Sequence, residues 1–147
     1  MYLVSACLAG INCRYDGKNS YNAKAIKLVN SGKALAVCPE VLAGLSIPRE
    51  RTEIMDTLSE GRCVFSISGK NLTEAFNEGA EKTLALAKTI KAKTAIMKSK
   101  SPSCGFGKIY DGTFSGKLVE GNGITSELLS NNGITIYNEE DIDKQAP

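Results

Sequence analysis

Short apolar runs of four or five residues recur along this chain. Most are followed by a turn-rich loop and then a stretch with helical periodicity, and this alternation restricts the fold more than any other feature. Residues 2–6 (YLVSA), 34–38 (ALAVC), 63–67 (CVFSI), 94–98 (TAIMK) and 134–137 (ITIY) read as buried strands. Between the first two, Ala25, Ile26, Leu28 and Val29 share one face of a helix over 22–30, with Gly32 where a C-terminal cap belongs. Asn71, with Glu74 three residues later, resembles a capping box opening the longest helix, whose buried stripe runs through Leu72, Ala75, Phe76, Ala80, Leu84, Ala87 and Ile90. A further helix is expected over 125–130, capped by Gly133, and EEDI reads as a terminal helical turn. Pro39 closes the second strand, residues 39–53 read as an irregular loop, and 108–123 read as a small hairpin excursion after Cys104. The pattern predicts an α/β fold spanning 1–147 as a single domain: an open, mostly parallel, Rossmann-like three-layer sheet with helices on both faces. Ligands of such sheets bind at the carboxyl ends of the strands.

Composition narrows the chemistry. With 147 residues, 42% of them hydrophobic, the chain can bury a core of its own. Eighteen Lys and Arg against sixteen Asp and Glu, evenly mixed, argue against a nucleic-acid polymer or a membrane surface as partner. No stretch approaches the roughly eighteen apolar residues of a membrane span, and the N-terminus lacks a basic leader, so a cytoplasmic protein is expected. The absence of histidine removes the Ser-His-Asp and Cys-His forms of nucleophilic catalysis and every imidazole-based metal site. Five cysteines at irregular spacings fit reduced thiols or thiolate ligands better than a disulfide framework. Neither Ser68-Gly69-Lys70 nor Gly105-Phe106-Gly107 meets the spacing of a nucleotide-binding loop.

Cys7, Cys38 and Cys104 stand at or just beyond the ends of three predicted strands, so a parallel sheet would bring them to one edge. Three thiolates without histidine suit a soft metal centre, of which an iron–sulfur cluster with one iron open to substrate is the best match. The same spacing serves equally for small apolar side chains packed at strand ends. Cys13, in the loop after the first strand, is a spare thiol or an alternative ligand, and Cys63 is structural. Glu40 beside Cys38, and Ser101 and Ser103 beside Cys104, are suited to proton transfer at that edge, or else to a solvated carboxylate and a serine-capped turn around Pro102. Arg14, Tyr15 and Asp16 form a polar cluster that reads as a substrate contact or as a turn, and Lys98 as an anion contact or a surface lysine.

Three blocks, SACLAGINCRYDG (5–17), CPEVLAGLSIPR (38–49) and SPSCGFGKIYDGTF (101–114), occur in the order seen in a small bacterial family that includes the thiouracil desulfidases. The resemblance extends along nearly the whole chain, including Gly123-Ile124-Thr125, with Ala43 standing where the family often has a second glycine. It implies an oxygen-sensitive 4Fe-4S cluster, readily lost on aerobic preparation, on Cys7, Cys38 and Cys104 with the fourth iron free of protein. It also implies a small-molecule thiolated base as substrate, converted by water without net redox change to uracil, in the case of thiouracil, and hydrogen sulfide. By motif position Glu40 and Ser101, and less directly Ser103, would assist. A homodimer is left open, and a cluster-bearing sensor or sulfur carrier is the alternative to an enzyme.

Overall fold

In a computed structural model, which describes residues 1–144, four parallel strands form the central sheet: β1 (Tyr2–Ser5), β2 (Ala34–Val37), β5 (Thr94–Ile96) and β8 (Thr135–Tyr137), in the order β2-β1-β5-β8. The register pairs Val4 with Ala36 on one side and with Ile96 on the other. Adjacent residues of β1 serve opposite cores. Leu3 joins Ala95, Met97, Leu84 and Leu129 on the face covered by α3 (Thr73–Thr89) and α4 (Ile124–Asn131). Val4 joins Ile96, Ala25 and Ile142 on the face covered by α1 (Ala23–Asn30) and α5 (Glu139–Lys144). Both faces of the strands are therefore buried, which is why they read as continuous apolar runs. The expected three-layer α/β architecture is present.

Several local details differ from the sequence expectations. Asn22 caps α1 as its side-chain oxygen accepts from the amides of Lys24 and Ala25, whereas the C-cap is Ser31, with Gly32 beyond it at φ +75°. The longest helix starts at Thr73 after Leu72, and Asn71 instead accepts from the Thr73 amide and hydroxyl, so no capping box forms. Pro39 opens a helix as well as closing a strand. Its fixed φ suits a first helical position, and α2 (Pro39–Leu42) follows immediately from Cys38. The run at 63–67 does not enter the parallel sheet. Residues 63–66 lie in β4 (Gly61–Ser66), which pairs antiparallel with β3 (Thr52–Thr57), a strand that begins inside the stretch read as loop. A second hairpin, β6 (Lys108–Tyr110) with β7 (Leu118–Glu120), occupies the expected excursion.

The topology sets the position of the site. After β2 the chain crosses over to the far side of β1, so β1 and β5 flank the switch point of the sheet, where the loops leaving neighbouring strands diverge. Among the described residues, no helix is long and apolar enough to cross a membrane.

Candidate metal and catalytic site

A cavity of about 450 Å³ opens at that switch point, within the size range of small-molecule sites. The turn after β1 (Ala6–Ala9) carries Cys7, the residue after β2 is Cys38, and the loop after β5 carries Cys104; all three line the cavity, and Cys13 joins them from the loop that follows the first turn. Cys63, on β4, is buried beside Thr57 and Glu60 and does not line it. All five are free thiols.

Two glycines let helices press the cysteine loops into place. A Cβ on Gly79 of α3 would lie 2.2 Å from the carbonyl oxygen of Pro39, so only glycine allows α2, with Cys38 and Glu40, to sit this close. A Cβ on Gly123 would lie 2.5 Å from the Ser103 carbonyl carbon and 2.9 Å from the Cys104 nitrogen. From there the free amides of the α4 N-terminus hold the Cys104 loop: Ile124 donates to Pro102 O at 2.8 Å, and Thr125 and Ser126 donate to Ser103 O at 2.9 and 3.1 Å. The Ser126 hydroxyl donates to Cys104 O at 2.6 Å.

Three polar side chains form one chain beside the thiols. Ser103 Oγ donates to Glu40 Oε1 at 2.7 Å and lies 3.1 Å from Ser101 Oγ. Because the Ser103 proton points to Glu40, the Ser101 hydroxyl is the donor in that second contact. Ser101 Oγ also accepts from the amides of Ser103 at 3.1 Å and Cys104 at 3.0 Å, so the serine caps its turn and joins the chain at once. The other oxygen of Glu40 takes the Arg49 guanidinium, with Nη2 at 2.7 Å and Nε at 2.8 Å from Oε2. Arg49 Nη2 reaches on to Cys13 O at 2.9 Å. With 14% and 10% side-chain exposure, Glu40 and Arg49 form a nearly buried pair.

The thiols of Cys13, Cys38 and Cys104 hold their protons tightly. Burial pushes Cys104 up to about 12 although the Ser5 hydroxyl pulls the other way. At Cys13 the hydrogen bond with Cys38 lowers the pKa, but the Cys7 contact and burial outweigh it and bring the thiol up to about 11. The Cys38 thiol is raised by its hydrogen bond with Cys13 and then by burial. A metal entering here must therefore displace protons from its ligands.

Of the expected substrate contacts, Arg14, Tyr15 and Lys98 line the cavity. Arg14 donates to Ser20 and stacks over Tyr15, and Lys98 is engaged by Glu139 at 2.9 Å. Asp16 lies outside the lining, where it accepts from the Lys18 amide across a turn. Sequence reasoning passed over Arg49, Arg51 and Glu53, which also line the cavity. The available signal for Arg49 was a buried carboxylate at Glu40, which requires a cation. Counting Arg14, Arg49, Arg51, Lys98 and Lys100 against Glu40 and Glu53, the wall carries five cations and two carboxylates.

No three His, Cys, Asp or Glu among the described residues close around a single ion. Soft thiols set around a cavity instead of one point suit a body larger than one metal. The fit to an iron–sulfur cluster thus rests on the donor type and on three cysteine loops delivered to one rim.

Known proteins match this arrangement along the chain. The family model described as 2-thiouracil desulfurase covers residues 2–141. The uncharacterised protein YbbK of Bacillus subtilis (strain 168) is 47% identical over 147 residues, covering 97% of each chain. The solved structure of a [4Fe-4S]-dependent thiouracil desulfidase, TudS, is similar with a TM-score of 0.88 and 39% identity, over 99% of this chain and 94% of that one. The chain belongs to the 2-thiouracil desulfurase family.

Proposed function

We propose that this protein is a cytoplasmic desulfidase that replaces the sulfur of a thiocarbonyl heterocycle such as thiouracil with oxygen from water, releasing hydrogen sulfide. The observation that carries this reading is the Ser101–Ser103–Glu40 chain ending in the same cavity as Cys7, Cys38 and Cys104. Family membership and the likeness to TudS support it. Cys7, Cys38 and Cys104 would hold a 4Fe-4S cluster, whose protein-free iron supplies Lewis acidity toward the thiocarbonyl sulfur.

The chain's own residues perform the proton work. Ser103 Oγ accepts from the attacking water while passing its own proton to Glu40 Oε1, 2.7 Å away. Arg49 keeps Glu40 in place through Oε2, leaving Oε1 directed at Ser103. Ser101 fixes the direction of the relay from the other side, because its lone pairs are taken by two amides. The surplus of cations on the wall stabilises the negative charge that grows on the heterocycle as water adds. The proton held on Glu40 returns through Ser103 to the departing sulfur, so both hydrogens of the water leave in hydrogen sulfide and its oxygen stays on the heterocycle. No electrons are exchanged.

The test is anaerobic reconstitution with iron and sulfide, followed by iron quantification and sulfide release from excess 2-thiouracil and 4-thiouracil. About four irons per chain with many turnovers is the expected result. Glu40→Gln should keep its iron and lose about 100-fold or more in kcat. Full activity in that variant removes Glu40 from the reaction, and a single sulfide per chain without turnover replaces the enzyme with a sulfur carrier.

A further inference from the structure

Arg51, Thr52 and Glu53, at the start of β3, stand outside the parallel sheet yet line the cavity. Glu53 is only 3% exposed, and a carboxylate that deep needs partners. Its Oε1 has two, the amides of Gly112 at 3.0 Å and Phe114 at 3.1 Å, both in the turn joining β6 to β7. Its Oε2 has no hydrogen bond, and Arg51 Nη2 lies 3.5 Å away, close enough for an ion pair but outside hydrogen-bond geometry. The Arg51 guanidinium in turn lies over the Phe114 ring, 5.8 Å from its centre.

The turn that Glu53 grips is under strain. Phe114 has φ +56°, a left-handed conformation that side chains other than glycine adopt rarely and that persists only where neighbours enforce it. Gly112, at φ +93°, sits so close to β3 that a Cβ there would come within 2.8 Å of Ile54 O. Tyr110 before the turn and Gly116 at its end both reach the cavity. One buried carboxylate thus joins β3, the turn and a cavity-lining arginine.

We propose that Glu53 is a positioning residue for substrate binding: through Oε1 it docks the 111–116 turn as the outer wall of the cavity, and through Oε2 it directs Arg51 across that wall. Its link to substrate rests on the desulfidase reading, whereas the docking of the turn does not. Replacing Glu53 by Ala removes both functions. Replacing it by Gln keeps an oxygen for the two amides but turns an amide donor toward the Arg51 guanidinium.

The experiment pairs hydrogen–deuterium exchange over 111–116 with steady-state kinetics on 2-thiouracil, using the cluster-loaded protein. In Glu53→Ala, exchange at Gly112 and Phe114 should quicken about tenfold or more and KM should rise about tenfold, with kcat within about threefold and iron content unchanged. Glu53→Gln should restore the amide protection while KM stays between wild type and Glu53→Ala. Unaltered exchange and KM in Glu53→Ala overturn the proposal, as does a fall in kcat with KM intact, which would put Glu53 in the chemistry. Should Glu53→Ala fail to fold, Arg51→Met must raise KM by a similar factor without changing exchange, and an unchanged KM overturns it. If the loaded wild type turns over no thiouracil, the functional reading falls, and the exchange measurement still decides whether Glu53 docks the turn.

Discussion

The inner and outer walls of the cavity are built by different means. The inner wall is the edge of the parallel sheet, where three strands end in cysteine-bearing loops fixed by backbone hydrogen bonds and by helices that approach through Gly79 and Gly123. The outer wall is two short hairpins that share a small apolar core of Ile54, Val64 and Ile109 and are joined at the cavity by one buried carboxylate, with Met55, Leu118 and Val119 exposed. Close-packed backbone transmits a small displacement directly, whereas a two-stranded hairpin resting on a small core absorbs it locally. Damage to the inner wall should therefore reach the proposed cluster site, and damage to the outer wall should stop at substrate affinity.

The sharpest way to break this contrast is a methyl group at Gly123. The added Cβ would lie 2.5 Å from the Ser103 carbonyl carbon, and neither that loop nor the start of α4 can yield without moving Cys104. Gly123→Ala should cost about 3 kcal/mol, near the top of the range for overpacking, and lower Tm by about 6–12 °C. The variant should also fail to retain iron after reconstitution. Normal iron content would mean that the Cys104 loop is not held as rigidly as its hydrogen bonds imply.

The corresponding change on the outer wall is Gly112→Ala. It combines an unfavourable φ of +93° with a Cβ 2.8 Å from Ile54 O, and should cost about 1–2 kcal/mol in a denaturant melt. Iron content should match wild type because the contacts that hold this turn run to Glu53, Ile54 and Met55 of β3. Loss of iron here would show that the two walls are coupled and remove the distinction.

The same division runs through what the amino-acid sequence discloses. Strands of the inner wall are buried on both faces, so Leu3 and Val4, or Ala95 and Ile96, appear as unbroken apolar runs, and the cysteines mark their ends. The outer wall has no comparable mark. Residues 63–67 are as apolar as a sheet strand, but Val64 packs with Ile54, Phe76 and Ile109 in a separate small core, a distinction that a five-residue run does not carry. The β3 strand mixes Glu53 and Asp56 with Ile54 and Met55, because one of its carboxylates is buried for a structural purpose. Arg49 was equally hidden: its role arises only when the chain folds back to bring it against Glu40, nine residues away, and Cys13, thirty-six residues away. Ser101 and Ser103 were legible as neighbours of Cys104, but their alignment into one hydrogen-bond chain depends on the turn geometry that Gly123 permits.

The smallest expected effect concerns an electrostatic latch on the inner wall. Lys98, just after β5, lies 2.9 Å from Glu139 at the start of α5, and Glu139 also accepts from the Ser99 amide and hydroxyl at 2.8 Å each. Burial alone would raise this carboxyl, but the Lys98 ammonium and the Ser99 amide outweigh it and hold the group below its ordinary value. A carboxyl depressed in the folded state stabilises the protein at pH values above its unfolded pKa, near 4.3, and that contribution disappears as pH falls through the lower folded value. Lys98→Met should therefore cost about 1 kcal/mol at pH 7, where Glu139 is ionised in both states. The difference from wild type should shrink as the pH falls below about 4, as followed by urea unfolding at each pH. A penalty of equal size at pH 3 and pH 7 would assign the contribution to packing of the lysine stem instead of its charge. In that case the inner wall would owe its rigidity to backbone contacts and close packing, with no electrostatic share from this pair.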